Sequence, residues 1–185
     1  MQMTALHIAS RDGNATAVES LLATGADVHE LDEDGAAPLY KASSWGHDSI
    51  VERLLKAGPD VNHEAKVHPS LARGWTALHR ACWSAPGHVV IARLLAAGAD
   101  LEAKTEDGRT PLMIASQRGS TSIIKELIEA GADIEAESED GSTPLQWAIA
   151  HCRDTAVTQL TKYLEILEKR YGAGREAVED AAVAV

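Results

Sequence analysis

The stretch TPLMIASQRGSTSIIKELIEAGAD, residues Thr110–Asp133, decides the fold. The Thr110 hydroxyl can cap a helix, and Pro111 suits the first helical position, where no N–H is needed. Gly119 can adopt the left-handed conformation that ends a helix. The apolar residues of TSIIKELIEAG then fall on one face of a second helix. The stretch therefore predicts a pair of short helices joined by a tight turn.

The same stretch recurs along the chain. Its first motif appears as TALHIAS, APLYKAS, TALHRAC, TPLMIAS and TPLQWAI, at successive spacings of 33, 39, 34 and 33 residues. A second motif keeps step as LLATGADV, LLKAGPDV, LLAAGADL and LIEAGADI. A helix pair of this size cannot bury its apolar face alone. Successive pairs are therefore expected to stack in a linear array with a continuous core.

The pattern resembles the ankyrin repeat family, whose signature of TPLH, Ala, Gly, LL and Gly-Ala-Asp is matched almost letter by letter in the fourth unit. The resemblance covers roughly residues 3–172 and implies an all-α repeat solenoid. We expect a single domain, 1–185, of five helix-turn-helix units joined by hairpin-like loops and closed by a longer C-terminal capping helix. The predicted units are approximately 1–31, 32–70, 71–104, 105–137 and 138–172, followed by a tail at 173–185.

Four departures from the repeat carry further expectations. Thr4 lies almost at the start of the sequence, so unit one is either a shortened cap or part of a longer array. The spacing of 39 places six extra residues within NHEAKVHPSLARG, which form either a tolerated insertion or a finger that reaches a partner. Pro86 predicts an early end for the first helix of unit three. The last helix is predicted to run about eight residues beyond the usual length, and the tail either adds a short helix or frays.

Composition excludes several classes of function. The chain has 185 residues, 45% of them hydrophobic, which is enough for one core. Its formal charge of -11 repels phosphate, so we expect no nucleic-acid partner. Cys82 and Cys152 form no CxxC motif, which favours a reducing, intracellular location, cytoplasmic or nuclear. We see no signal peptide and no apolar run that could cross a bilayer, and we expect a monomer without membrane insertion.

Nothing in the sequence predicts catalysis. The resemblance implies that His7 and His79 make structural hydrogen bonds near the start of a helix. They occupy a repeat position that holds Met113 elsewhere, and a catalytic residue would not be replaceable by methionine. Cys82 takes a small-residue packing position, which indicates a buried, inert thiol. G-x-S-x-G, HExxH and phosphate-loop motifs are absent from the sequence. We therefore predict a protein that is not an enzyme, with no catalytic residues, no cofactor and no metal.

One loop leaves a modification open. The segment LLKAGPDVN, which ends at Asn62, looks like the ankyrin loops that asparaginyl hydroxylases modify. Asparagine is also simply a good loop residue, and we favour this second interpretation.

The resemblance implies a protein-binding surface. Family members bind partners on a concave surface made by loop tips, by the residue before the helix-capping threonine and by the two positions before the turn glycine. Carried over to this sequence, and weighted towards tryptophan and arginine as frequent interface anchors, the predicted partner-binding residues are Asp34, Trp45, Arg73, Trp75, Trp83, Asp107, Arg109, Gln117 and Arg118. The alternative is that one or more of Trp45, Trp75 and Trp83 merely packs over neighbouring helices. Trp147 is left out because it occupies a half-buried repeat position.

Two functions follow from these observations. The first is a non-catalytic protein-protein interaction module. The alternative is the regulatory or targeting segment of a larger enzyme or channel. The acidic residues gather on the loops and leave the arginines mostly further into the groove. This arrangement favours a partner with basic residues opposite the loop tips and apolar or acidic residues deeper, or the acidic loops form a solvated rim that keeps the array soluble.

Overall fold

A computed structural model describes residues 3–66, 74–84 and 88–183, with side chains as far as Lys169. These residues form ten helices: α1 (Ala5–Asp12), α2 (Ala15–Ala23), α3 (Pro38–Trp45), α4 (Asp48–Lys56), α5 (Ala77–Trp83), α6 (His88–Ala96), α7 (Pro111–Arg118), α8 (Thr121–Glu129), α9 (Pro144–Ala150) and α10 (Asp154–Val183). The predicted all-α repeat solenoid is confirmed.

The helices form two layers. The odd-numbered helices α1 to α9 pack side by side in chain order, and we call them the first-helix layer. The even-numbered helices α2 to α10 pack in the same order as the second-helix layer. The core lies between the layers and is built mainly from Leu, Ile, Val and Ala, for example Leu78 and Ile91. Each helix pair thus buries its apolar face against its neighbours, as a linear array requires.

Histidines join consecutive repeats at the helix starts. His79 Nδ1 accepts a hydrogen bond from the Thr76 backbone N–H at 3.2 Å, so Nε2 carries the proton and donates to the Arg109 carbonyl at 3.0 Å. His7 lies in the same way, with Nε2 2.9 Å from the Ala36 carbonyl. Burial lowers the pKa of His79 to about 4, so the ring is neutral at pH 7. The structural role predicted for these two histidines is confirmed.

Left-handed residues follow four helices of the first-helix layer, α1, α3, α7 and α9. Gly13, Gly46 and Gly119 follow α1, α3 and α7 with φ of 77°, 70° and 74°, which only glycine adopts without strain. Cys152 occupies the corresponding position after α9 with φ of 53°. The Arg153 N–H that follows it donates to the Ala148 carbonyl at 2.9 Å, as in the glycine turns. The last unit therefore keeps the same turn, but with a cysteine in the strained left-handed conformation.

The six extra residues lie inside one loop. In the loop that precedes α7, the Thr105 N–H donates to the carbonyl of Arg109, four residues on. In the loop that precedes α5, which we call the third loop because it opens unit three, the same bond joins the Ala65 N–H to the carbonyl of Trp75, ten residues on, at 2.9 Å. The insertion is thereby confined between Lys66 and Gly74, and residues 67–73 lie outside the described part of the chain.

Both predicted changes in helix length are present. Helix α5 ends at Trp83, one repeat position earlier than α3 and α7, although Pro86 itself lies outside the described residues. Helix α10 spans 30 residues, against nine for α8. It continues through the tail as far as Val183, so the tail forms no separate helix.

Candidate protein-binding surface

Aromatic rings and a guanidinium group link α5, α7 and α9 on the first-helix layer. The rings of Trp75 and Trp83 meet edge-on with centroids 5.8 Å apart. The Arg109 guanidinium lies 6.0 Å from the Trp75 ring centroid and 5.1 Å from that of Trp147. His151 stacks on Trp147 at 5.6 Å. We call these five residues, with Gln117 and Arg118, the Trp/Arg cluster.

Arg109 is held at the centre of the cluster. Its Nε lies 2.6 Å from Asp107 Oδ2, and its Nη1 donates to Gln117 Oε1 at 3.1 Å. Burial raises the pKa of Asp107, but the bonds from Arg109 and from the Thr105 hydroxyl outweigh it and hold this pKa below its usual value. The Asp107 carboxylate is therefore ionised at neutral pH and balances the charge of the guanidinium.

Gln117 passes the network on to the next repeat. Its Nε2 donates to His151 Nε2 at 3.0 Å, which leaves the proton of the imidazole on Nδ1. That Nδ1 donates to the Trp147 carbonyl at 3.0 Å. Hydrogen bonds thus run from Arg109 through Gln117 to α9 and hold these side chains in one arrangement.

The exposed part of the surface lies where α3, α5 and α7 end. Arg118 is exposed, and its guanidinium lies 4.8 Å from the centroid of the half-buried Trp83 ring. Arg80 Nε donates to Ser44 Oγ at 2.9 Å and ties α5 to α3. Trp45, the next residue after Ser44, is 60% exposed. This end of the first-helix layer therefore offers two cations and two indole rings.

The structure corrects the placement of two predicted contact residues. Trp75 was expected on the surface, but it is 1% exposed. Its backbone pairs with Ala65 in the third loop, so the indole packs beneath Trp83 and Arg109. Arg109 is also buried, at 6%, because Asp107 and Trp147 enclose its guanidinium. Neither side chain is available on the surface of this chain.

The other predicted contact residues do not all lie in one part of the structure. Trp83, Gln117, Arg118 and Asp107 belong to the cluster or contact it. Trp45 lies towards the N-terminal side on α3. Asp34 is a half-buried loop residue 3.5 Å from Lys41 Nζ, and nothing brings it to the cluster. Arg73 falls outside the described residues.

Sequence reasoning missed the part played by Trp147. It was set aside because its repeat position is half-buried, and the structure does find it half-buried. The Arg109 guanidinium nevertheless lies 5.1 Å from the centroid of its ring, and the Trp147 carbonyl accepts a hydrogen bond from His151 Nδ1. The sequence did contain a signal for this contact. Arg109 precedes the helix-capping threonine of one repeat, and Trp147 follows the helix-capping threonine of the next repeat.

The remaining candidate chemistry is structural. Cys82 is fully buried, and burial raises the pKa of its thiol, so the reactive thiolate is disfavoured. The Asn62 amide donates to the Gly98 carbonyl at 3.2 Å and accepts from the Asp100 N–H at 2.8 Å, which joins two loops. In the described ranges, no three His, Cys, Asp or Glu side chains group as metal ligands, and no helix is long and apolar enough to cross a bilayer.

Comparison with known proteins identifies the family. Residues 6–105 and 87–169 match the family model for ankyrin repeats. The chain belongs to the ankyrin repeat family. Ankyrin repeats are protein-interaction modules, and ankyrin-repeat domains are generally non-catalytic.

Ankyrin-repeat relatives are much longer than this chain. It is 36% identical over 115 residues to human SH3 and multiple ankyrin repeat domains protein 2, covering 62% of this chain and 6% of that protein. It is 33% identical over 159 residues to the chicken nuclear factor NF-kappa-B p105 subunit, with 66% and 16% covered. It is 31% identical over 122 residues to human transient receptor potential cation channel subfamily A member 1, with 66% and 10% covered. The chain thus spans less than a fifth of each of these relatives.

Proposed function

We propose that this ankyrin-repeat chain is a non-catalytic module that holds a partner protein against its first-helix layer, the side that the family resemblance implies is concave. The observation that carries the proposal is Trp45, whose side chain is 60% exposed. Water disfavours so large an exposed apolar surface, and tryptophan is among the commonest anchors of protein interfaces.

The neighbours of Trp45 support the same function. Trp83, Gln117 and Arg118 continue the surface along the layer, and with Trp45 they form what we call the docking face. Trp75 and Arg109 beneath them fix the positions of Trp83 and Gln117. A surface that is already ordered loses little conformational entropy on binding, which favours affinity.

The relatives support a second candidate. Because the matched proteins are far longer, this array can also act as the regulatory or targeting segment of a larger enzyme or channel. Transcripts in which coding sequence continues the 33-residue period beyond this chain would favour that candidate. Transcripts that contain this array alone would count against it.

Site-specific photo-crosslinking tests the binding function. A benzophenone amino acid is placed at position 45, and separately at Val89 of α6, which is 55% exposed on the second-helix layer. Each protein is irradiated in native extract. We expect position 45 to yield a discrete crosslinked protein, and Val89 to yield none.

The control removes the anchor without disturbing the fold. Trp45→Ala should keep the helical circular dichroism spectrum, because an exposed side chain adds little to stability. It should lose the partner in a pull-down, while Val89→Ala retains it. Equal crosslinking from positions 45 and 89, or full recovery of the partner by Trp45→Ala, would contradict the proposal.

A further inference from the structure

Two arginines of the first-helix layer lack the carboxylate partners that other arginines have. Arg93 pairs with Asp48 and Glu52, and Arg109 pairs with Asp107. Within the described ranges, Arg80 and Arg118 have no Asp or Glu oxygen within 4.0 Å. The undescribed segments nearest to them in sequence, 67–73 and 85–87, contain no acidic residue. Although the chain has a net charge of -11, its described side chains thus provide no carboxylate partner for these two cations.

Both cations are positioned beside Trp83. The ring holds the Arg118 guanidinium at 4.8 Å. Arg80 precedes Trp83 by three residues on α5, so both side chains project from the same face of the helix. Its Nε is fixed by Ser44 at 2.9 Å, and its two terminal nitrogens make no hydrogen bond to a described residue. Both guanidinium groups are therefore oriented and keep free donors.

The acidic loops do not neutralise this region. The exposed carboxylates of Glu33 and Glu106 precede the N-terminal ends of α3 and α7, whereas Arg118 lies at the C-terminal end of its helix. An eight-residue helix is about 12 Å long. Salt screens exposed charges beyond roughly 8 Å at physiological ionic strength. The ends of α5 and α7 therefore act as a local positive site on an acidic protein.

We infer that Trp45, Arg80, Trp83 and Arg118 bind an acidic peptide segment of a partner protein. Aspartate or glutamate carboxylates pair with the two guanidinium groups, a geometry in which arginine can donate two hydrogen bonds to one carboxylate. An apolar side chain of the same segment covers the exposed Trp45 ring. The inference rests on the proposed function, and it adds the chemical class of the partner.

Peptide selection tests the inference. A displayed library of random twelve-residue peptides is selected against the full chain, and the affinities of the selected peptides are measured by fluorescence anisotropy. We expect the peptides to be enriched in Asp and Glu relative to the unselected library. The double variant Arg80→Gln/Arg118→Gln should bind them about ten-fold more weakly, as expected for the loss of charged hydrogen bonds.

A matched control variant isolates the site. Arg53 on α4 is also partly exposed but pairs with Glu19, and Arg53→Gln should leave affinity unchanged. Circular dichroism melting confirms that each variant is folded. Selected peptides without acidic enrichment, or equal affinity of the double variant and the wild type, would overturn the inference. If such non-acidic peptides still lose binding in Trp45→Ala, the proposed function stands and only the acidic partner is wrong. If Trp45→Ala has no effect on any selected peptide, the proposed docking face fails as well.

Discussion

Alanine substitutions at two loop glycines distinguish the cost of backbone strain from the cost of a steric clash between repeats. Gly108 and Gly141 occupy the same position in consecutive loops, with φ of 76° and 78°. A Cβ on Gly108 would lie 2.5 Å from the Glu139 backbone nitrogen and 3.0 Å from the Ser138 carbonyl carbon. A Cβ on Gly141 would meet nothing within 4 Å. Alanine therefore has the same strain at both positions but a clash only at position 108.

The magnitudes follow from these contacts. Left-handed strain costs an alanine about 1–2 kcal/mol, and reduced entropy of the unfolded chain returns about 0.4–1 kcal/mol. Gly141→Ala should thus lower the free energy of unfolding by about 1 kcal/mol. In Gly108→Ala the clash adds about 1–3 kcal/mol of overpacking. It also breaks the 3.2 Å hydrogen bond from the Glu139 N–H to the Asp107 carbonyl, for about 1 kcal/mol more.

The difference between the two variants is the measured quantity. Urea unfolding followed by circular dichroism should give a free energy of unfolding about 2–4 kcal/mol lower for Gly108→Ala than for Gly141→Ala, on the sum of those two terms. A common slope against urea would show that both variants unfold to similar states. If the two free energies agree within about 0.5 kcal/mol, the loops do not depend on this close approach, and the reasoning is refuted.

Three further changes test other parts of the molecule. Burial lowers the pKa of His79 to about 4, below its value of about 6.5 in the unfolded chain, so the unfolded chain binds a proton first as the pH falls. The contribution of His79 to the free energy of unfolding is therefore complete above pH 6.5 and about 3 kcal/mol smaller near pH 4. His79→Gln copies the contact that Gln146 makes with the Thr143 N–H but has no ring to titrate. Its urea midpoint should therefore fall less between pH 7.5 and pH 4.5 than the midpoint of the wild type. Cys152→Gly should raise the free energy of unfolding by about 1 kcal/mol by relieving left-handed strain, whereas Cys152→Ala should not. Trp75→Ala should cost about 3–5 kcal/mol and Trp45→Ala less than about 0.5 kcal/mol in the same assay.

The repeat could be predicted because its signals are local. Thr110, Pro111 and Gly119 set the start and end of α7 through their own backbone chemistry, and the structure places those boundaries accordingly. The long α10 was predictable for the same reason, since its apolar spacing continues past the usual length. Its uninterrupted course through the tail was left open, because glycines such as Gly172 weaken a helix without ending it.

The side chains of the surface were harder to place. Trp75 belongs to a loop position that is also buried at Ala36 and Arg109, so the position as a whole faces the neighbouring repeat. One repeat read alone cannot show this, because part of the cover comes from the next repeat. Trp83 and Arg109 cover Trp75 from α5 and from the next loop. Whether a large side chain is exposed for binding or buried in the core therefore depends on contacts between repeats, and sequence spacing gives no direct information on those contacts.

If the proposed function holds, we expect the buried residues of the predicted surface to contribute to binding through the exposed ones. Trp75 supports the ring of Trp83, and that ring in turn carries Arg118. Arg109 fixes Gln117 through a 3.1 Å hydrogen bond. Ordering one long side chain on binding costs about 0.5–1.5 kcal/mol. This network already orders the side chains when the chain folds, so the cost does not reduce the affinity. A partner that binds the docking face therefore meets side chains already in position, which is the physical advantage of placing two predicted contact residues in the core beneath it.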